Sequence, residues 1–176
     1  MLAVTLLISC KEESPVMSNP VEVINMITVT LSPVGGGEPA FWSYSDPDGL
    51  GGEDPDVIWE PLKPFTIYLG EIRLFDASVT PPIEITEEIK AEADVHQFFF
   101  DFRDVASSFK YLDFDDNGYP LGFDIEFIAY EYGEGLLNIN LVHLAEKDVP
   151  GVSDGDITNA GGYSDLDMNF LVRIKE

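Results

Sequence analysis

The chain has 176 residues, 45% of them hydrophobic and 12% aromatic, which is enough apolar material for one domain with a substantial core. Its 33 acidic residues outnumber its 9 basic ones, and the net charge is −24. Such a surface repels nucleic acid and anionic lipid headgroups. It favours cations or basic partners, or it is simply a solvated acidic surface that keeps the protein soluble. No run of about 20 apolar residues occurs, so the sequence predicts no transmembrane helix.

The N-terminus carries a targeting pattern. Residues 2–8 (LAVTLLI) are too short to cross a bilayer and resemble the end of a signal peptide. Residues 7–10 (LISC) resemble the bacterial lipobox, in which a small residue precedes a cysteine that is lipidated. Residues 11–13 (KEE) resemble the surface-export signal of Bacteroidota lipoproteins. These resemblances imply lipidation of Cys10, the sole cysteine, and display on the outer face of the outer membrane.

Three regions follow from this pattern. Residues 1–9 are predicted to be a signal-peptide remnant. Residues 10–22, polar and proline-containing, are predicted to be a lipidated tether. Residues 23–176 are predicted to form the folded domain.

Apolar and polar residues alternate in short runs from residue 23 onward, with Gly-, Pro- and Asp-rich segments between them. Each run predicts a strand with one buried face. The predicted strands are residues 23–31, 40–45, 65–76, 98–102, 109–114, 121–132, 137–143 and 165–174.

One helix is predicted near residues 86–95, with Thr86 placed to cap it and acidic residues in its first turn. About eight or nine short strands with one short helix indicate an all-β fold, an antiparallel β-sandwich of the Ig-like or Greek-key type. No alternation of strands with helices is present, which argues against a Rossmann or periplasmic-binding α/β fold.

The segment DFDDNGYPLGFD (113–124) matches the pattern of a calcium-binding loop. In such a loop three side chains point toward the calcium ion, one backbone carbonyl coordinates it, and an acidic residue at the last position completes the ligand set. These candidate ligands are Asp113, Asp115, Asn117, the Tyr119 carbonyl and Asp124. The flanks are predicted strands rather than helices, so the alternative is a β-hairpin whose Asn-Gly turn needs positive φ.

The two histidines are candidates for a transition-metal site. His96 follows Glu92 by four residues, which is the spacing of a helical metal-binding pair. His143 alternates with apolar neighbours in a predicted strand. If the fold brings the histidines together, Glu92, His96 and His143 could hold Zn²⁺ or Cu²⁺. The alternative is a half-buried histidine satisfied by a backbone carbonyl.

Trp42, Tyr44 and Trp59 flank an acidic loop at residues 46–56. Aromatic rings beside carboxylates suit a sugar-binding platform, although aromatic residues on strands also fill cores. The chain has no G-x-S-x-G motif and no phosphate-binding glycine loop, and no acidic pair is marked as facing a cleft. The sequence therefore predicts a binding module rather than an enzyme.

Four segments together resemble a family of small Bacteroidota lipoproteins of undefined biochemistry. They are ITVTLSPVGGG (27–37), EADVHQFFF (92–100), DFDDNGYPLG (113–122) and DGDITNAGGYSDLDMNF (154–170). The resemblance implies a β-rich envelope lipoprotein that is an accessory to an outer-membrane TonB-dependent transporter. We expect a cell-surface module that binds a ligand or partner and holds Ca²⁺ or another metal. The alternative is a carbohydrate-binding or adhesive module.

Overall fold

In a computed structural model of the chain, two antiparallel β-sheets enclose one main core, which confirms the predicted all-β sandwich. The structure describes residues 23–49 and 51–176. The predicted signal remnant, tether and lipidation site Cys10 lie outside the described residues. No helix in the described ranges is long and apolar enough to cross a membrane.

The described residues form ten strands and one α-helix, two strands more than the eight segments predicted. The strands are β1 (Met26–Pro33), β2 (Ala40–Ser45), β3 (Asp56–Ile58), β4 (Thr66–Asp76), β5 (Ile83–Glu84), β6 (His96–Arg103), β7 (Ser107–Tyr111), β8 (Asp124–Ala129), β9 (Gly133–His143) and β10 (Tyr163–Ile174). The helix is α1 (Thr86–Ala91), and two 3₁₀ helices span Val152–Asp154 and Ile157–Asn159.

The larger sheet has the strand order β3-β2-β1-β4-β8-β7, and β5 pairs with β4. The smaller sheet has the order β10-β9-β6. The predicted hairpin is present as the antiparallel pair β7–β8, with Phe109 opposite Phe127. Its two arms are joined by a long loop at residues 112–123 rather than by a two-residue turn.

The core confirms the predicted buried faces of β1, β8 and β10. In the first half of β4 the prediction is wrong, because the alternating apolar residues Phe65, Ile67 and Leu69 are exposed and Tyr68 is buried instead.

Trp42 in β2 is 0% exposed; its ring stacks on Phe170 at 5.7 Å between centroids and meets the edge of Phe127 at 6.0 Å. Phe170 belongs to the smaller sheet and Phe127 to the larger one, so Trp42 joins the two sheets across the core. Its indole N–H donates to the Glu60 carbonyl at 2.7 Å, which satisfies the one polar atom of the side chain.

The helix is shorter than predicted, because it ends at Ala91 rather than near residue 95. The Glu92 N–H donates to the Ile89 carbonyl, three residues back, which closes the last turn tightly. The Val95 carbonyl already accepts from the Ala145 N–H at 3.1 Å, beside the β6–β9 ladder. Strand pairing therefore competes with the helix from Val95 onward and prevails. The prediction that Glu92 and His96 share a helix face is wrong.

The start of the helix also differs from the prediction. Ile85 is the N-cap, and no side chain caps the helix there. The Thr86 hydroxyl instead accepts from the Leu74 N–H at 3.0 Å. Thr86 thus ties α1 to β4 instead of capping the helix.

Candidate metal centre

The register of β6 against β9 brings the two histidines together. His96 lies directly opposite His143, and Phe98 lies opposite Leu141. Because directly opposite residues and residues two apart share a face, both histidines belong to the face that carries Phe98 and Leu141. Phe98 and Leu141 are core residues, so the imidazoles lie at one end of the core. Their ring centroids are 4.3 Å apart, with the rings tilted by 31°.

His96 is 0% exposed, and its Nδ1 lies 3.0 Å from the Glu92 carbonyl oxygen. A carbonyl can only accept, which assigns the proton to Nδ1. In the neutral ring the lone pair is then on Nε2, and a neutral imidazole nitrogen of this kind is a common metal ligand. Metal-binding histidines commonly donate their other ring N–H to a backbone carbonyl in this way.

Glu92 follows the last turn of α1 and is half-buried. One carboxylate oxygen of Glu92, one ring nitrogen of His96 and one ring nitrogen of His143 all lie within 4.8 Å of one another. The structure therefore unites the three residues that the sequence selected, although a turn and a strand pair bring them together instead of a helix face. Imidazole and carboxylate ligands of this kind suit Zn²⁺ and Cu²⁺.

Two further residues of this site were missed from the sequence. Tyr163 in β10 lies opposite His143, and its hydroxyl is 3.0 Å from His143 Nδ1. Asp165 Oδ2 lies 3.4 Å from His96 Nε2 and 3.4 Å from His143 Nδ1. Both residues belong to an alternating strand pattern. The alternation predicts burial of Leu166 and Met168, but it does not predict which residue of the strand contacts a histidine.

Gly162 makes the approach of β10 to this site possible. It has φ +60°, and a Cβ there would lie 2.0 Å from the His143 carbonyl oxygen. Any side chain at residue 162 would therefore push the start of β10 away from the end of β9. Tyr163 keeps its place beside His143 because the preceding residue has no side chain.

Two carboxylates of the candidate calcium loop accept hydrogen bonds from the loop's own backbone N–H groups. The Asp113 carboxylate accepts from the N–H groups of Gly122 and Phe123 at 2.8 and 3.0 Å. Asp115 Oδ1 accepts from the N–H groups of Asn117 and Tyr119, each at 2.9 Å. The Tyr119 carbonyl, which was expected to face an ion, accepts from the Asp115 N–H at 2.8 Å.

A lysine ammonium lies beside this loop. Lys147 Nζ is 3.2 Å from Asp115 Oδ2, and the two side chains are 3% and 2% exposed. The ammonium also donates to the carbonyls of Ala93 and Pro120 at 2.5 and 2.9 Å. Burial lowers the pKa of Lys147, and the hydrogen bond with Asp115 acts in the opposite direction. The chain thus supplies its own cation to Asp115.

The remaining calcium candidates lie on the open side of the loop. Asn117 and Asp124 are exposed and line an acidic cleft of about 550 Å³ together with Asp113, Asp115, Asp94 and Asp116. Burial and the nearby Asp113 carboxylate raise the pKa of Asp124. The structure brings four of the five predicted calcium ligands to this cleft. Calcium binding there is untested, and the pairing of Asp115 with Lys147 argues against it in the wild-type chain.

The predicted aromatic platform is divided between core and surface. Trp42 is fully buried, so it cannot stack on a sugar. Tyr44 and Trp59 are half-buried and pack against the core, and the Arg173 guanidinium covers one face of Trp59 at 4.7 Å. The three rings do not form one exposed surface.

Comparisons of this chain with protein-family models, with curated proteins and with solved structures find no match. The resemblance to Bacteroidota lipoproteins therefore stays a prediction.

Proposed function

We propose that this protein is a non-catalytic β-sandwich module that binds a transition-metal ion, Zn²⁺ or Cu²⁺, through Glu92, His96 and His143. One observation carries the proposal: three ligand atoms from three separate elements converge within 4.8 Å. The end of α1, the first residue of β6 and the last residue of β9 contribute one ligand each. Such convergence needs the folded chain, so metal binding is coupled to the native state.

The burial of the site suits an ion that enters from outside. His96 is fully buried at the end of the core, whereas the His143 side chain is 16% exposed and Glu92 is half-buried. The ion would reach the exposed ligands first and the buried imidazole last. The surrounding charge of −24 raises the local concentration of cations.

We place this module at the cell surface, anchored by a lipid on Cys10 and acting as an accessory to an outer-membrane TonB-dependent uptake system. Support comes from the LISC segment at residues 7–10 and the KEE segment at 11–13. In this setting the metal site would capture or hand over an ion, or would hold the surface that docks on the transporter.

Metal binding is tested with the purified full chain by competition against a chromophoric chelator. We expect one Zn²⁺ or Cu²⁺ per chain, and an affinity loss of about 100-fold or more in His143→Gln, beyond the range usual for losing an outer-shell partner. Glu88→Gln is the matched control for Glu92→Gln, because Glu88 is an exposed carboxylate of the same helix. Absence of binding, or equal affinity in His143→Gln, would refute the metal site.

The anchor is tested separately in cells. Cys10→Ala should abolish incorporation of labelled palmitate and move the protein out of the membrane fraction, because acyl chains supply the membrane affinity. Ser9→Ala is the control, since alanine keeps the small residue before the cysteine. Labelling that persists in Cys10→Ala would remove the lipoprotein part of the proposal and leave the metal part standing.

A further inference from the structure

A tight turn between α1 and β6 carries two of the three proposed metal ligands. Residues 92–95 are closed by the Val95 N–H, which donates to the Glu92 carbonyl at 3.1 Å. The same carbonyl lies 3.0 Å from His96 Nδ1. The backbone of this turn therefore sets where the Glu92 and His96 side chains lie.

Two further carbonyls of the turn accept hydrogen bonds from the segment that follows β9. The Val95 carbonyl accepts from the Ala145 N–H at 3.1 Å. The Ala93 carbonyl accepts from Lys147 Nζ at 2.5 Å. Because His143 is the last residue of β9, residues 143–147 carry both the third ligand and these two donors. The contacts thus join the two backbone segments that hold the three ligands.

The Lys147 ammonium is the charged member of these contacts. Its side chain is 3% exposed, and Nζ also lies 2.9 Å from the Pro120 carbonyl oxygen and 3.2 Å from Asp115 Oδ2. Hydrogen bonds from a charged donor are roughly twice as strong as neutral ones. Moving the ammonium would separate a buried charge from its partners, which is costly. The Ala93 carbonyl is therefore held by a donor with a fixed position.

We propose that Lys147 is a positioning residue of the metal site, an inference that rests on the proposed function. An ammonium has no lone pair, so Lys147 acts on the ion only through the residues that it holds. By binding the Ala93 carbonyl it fixes the turn, and Glu92 and His96 lie beside His143 before an ion arrives. A site whose geometry is set in advance loses less conformational entropy when its ligand binds.

The inference is tested by Zn²⁺ competition against a chromophoric chelator, with the full chain carrying Lys147→Met or Asp115→Asn. Both variants break the same buried ion pair, so both should be less stable in urea. Lys147→Met also removes the donor to Ala93, and we expect its Zn²⁺ affinity to fall at least about tenfold, as for a lost outer-shell partner. Asp115→Asn keeps an oxygen that accepts from the ammonium, so it should lose stability without this loss of affinity.

A double variant covers the case in which Lys147→Met does not fold. Lys147→Met combined with Asp115→Asn leaves no unpaired charge from this ion pair, yet it still lacks the donor to Ala93. Its Zn²⁺ affinity should therefore stay low. The Co²⁺ form adds a spectral measurement, because its visible bands depend on ligand geometry rather than on the stability of the fold. The bands of the double variant should differ from those of the wild type, whereas Asp115→Asn should keep the wild-type bands.

The outcomes separate this inference from the metal site itself. Equal affinity and equal Co²⁺ spectrum in the wild type and the double variant overturn the role of Lys147 while the three-residue site stands. An equal loss of affinity in Asp115→Asn and Lys147→Met assigns the effect to the ion pair and also overturns that role. Wild type that binds neither Zn²⁺ nor Co²⁺ overturns the proposed function.

Discussion

The acidic loop and the histidine cluster both contact the chain just after α1, at the adjacent residues Ala93 and Glu92. The negative charge of the carboxylates is compensated differently in the two clusters. The Ala93 carbonyl accepts from Lys147, which neutralises Asp115 in the acidic loop. The neighbouring Glu92 carbonyl lies against His96, whose ring faces Asp165. The acidic loop has its cation built in as an ammonium. The histidine cluster has a buried carboxylate oxygen that receives no hydrogen bond from the described residues.

Whether a carboxylate can bind a cation depends more on the donors that already contact it than on its sequence pattern. The loop at 113–124 matches a cation-binding motif, yet backbone N–H groups and Lys147 already occupy the oxygens of Asp113 and Asp115. The histidine cluster matches no metal-binding loop motif, and its Glu92–His96 spacing does not lie on a helix, yet its ligand atoms converge.

Replacing Lys147 with Met should convert the acidic loop into a cluster without an internal cation. Removing one partner of a buried ion pair costs about 3–5 kcal/mol, so we expect the free energy of unfolding in urea to fall by that amount. Ca²⁺ should then raise the melting temperature of Lys147→Met but not of the wild type. Adding Asp115→Asn should recover part of the loss. Equal stabilisation of the wild type by Ca²⁺ would contradict the contrast.

Zn²⁺ and Ca²⁺ should act differently on the wild-type protein. Zn²⁺ at 100 times its dissociation constant should raise the free energy of unfolding by about 2.7 kcal/mol through mass action. Ca²⁺ at the same concentration should have no effect, because the histidine cluster offers nitrogen ligands and Asp115 is paired. Calorimetric melting curves measure both, with Glu92→Gln as the variant that loses the Zn²⁺ effect. Equal shifts with both ions would indicate general screening of the acidic surface.

Tyr163→Phe should weaken the metal site from outside the ligand set. The Tyr163 hydroxyl is 3.0 Å from His143 Nδ1 and helps to orient that ring. We expect a loss of Zn²⁺ affinity of about tenfold, the lower end of the outer-shell range. Tyr132→Phe is the control, because the Tyr132 hydroxyl donates to Glu176 away from the histidines. Matching affinities in the two variants would show that Tyr163 has no part in the site.

Asp124→Asn should relieve repulsion in the acidic cleft. Burial raises the pKa of Asp124, and Asp113 adds to this effect. A raised folded-state pKa stabilises the fold below the unfolded-state pKa, and this contribution is lost as the pH rises through the folded-state value. Ionised Asp124 therefore lowers stability at neutral pH.

The variant should melt slightly higher at neutral pH and no higher at about pH 3, where a free aspartate is protonated. Asp116→Asn, an exposed neighbour in the same cleft, is the control. A gain in melting temperature that is the same at both pH values would exclude the electrostatic cause.

Much of the fold was predictable because period-two alternation is a local property. The buried faces of β1 and β10 follow the predicted pattern. Strands β3 and β5 were missed because they have three and two residues, too few for a period to show. The predicted helix is longer than the observed one because helix propensity is local and does not include the β6–β9 pairing that begins beside Val95.

The candidate sites show the same division. The residue types of Glu92, His96 and His143 mark them as possible ligands in the sequence. Their proximity could not be predicted, because it depends on how the fold pairs β6 with β9. The role of Lys147 could not be inferred, since it contacts Asp115 from 32 residues away. Asp165 could not be found either, because one extra residue in β10 changes which strand residue faces the histidines.

The all-β class, the buried faces of most strands and the residue types able to bind a metal ion could be predicted from the sequence, because alternation and side-chain chemistry act over a few neighbouring residues. Only the tertiary structure decided the register that opposes His96 to His143, the extra residue in β10 that places Asp165 between them and the ammonium that neutralises Asp115. These depend on contacts between distant segments, whose relative positions are set by packing two sheets around one core.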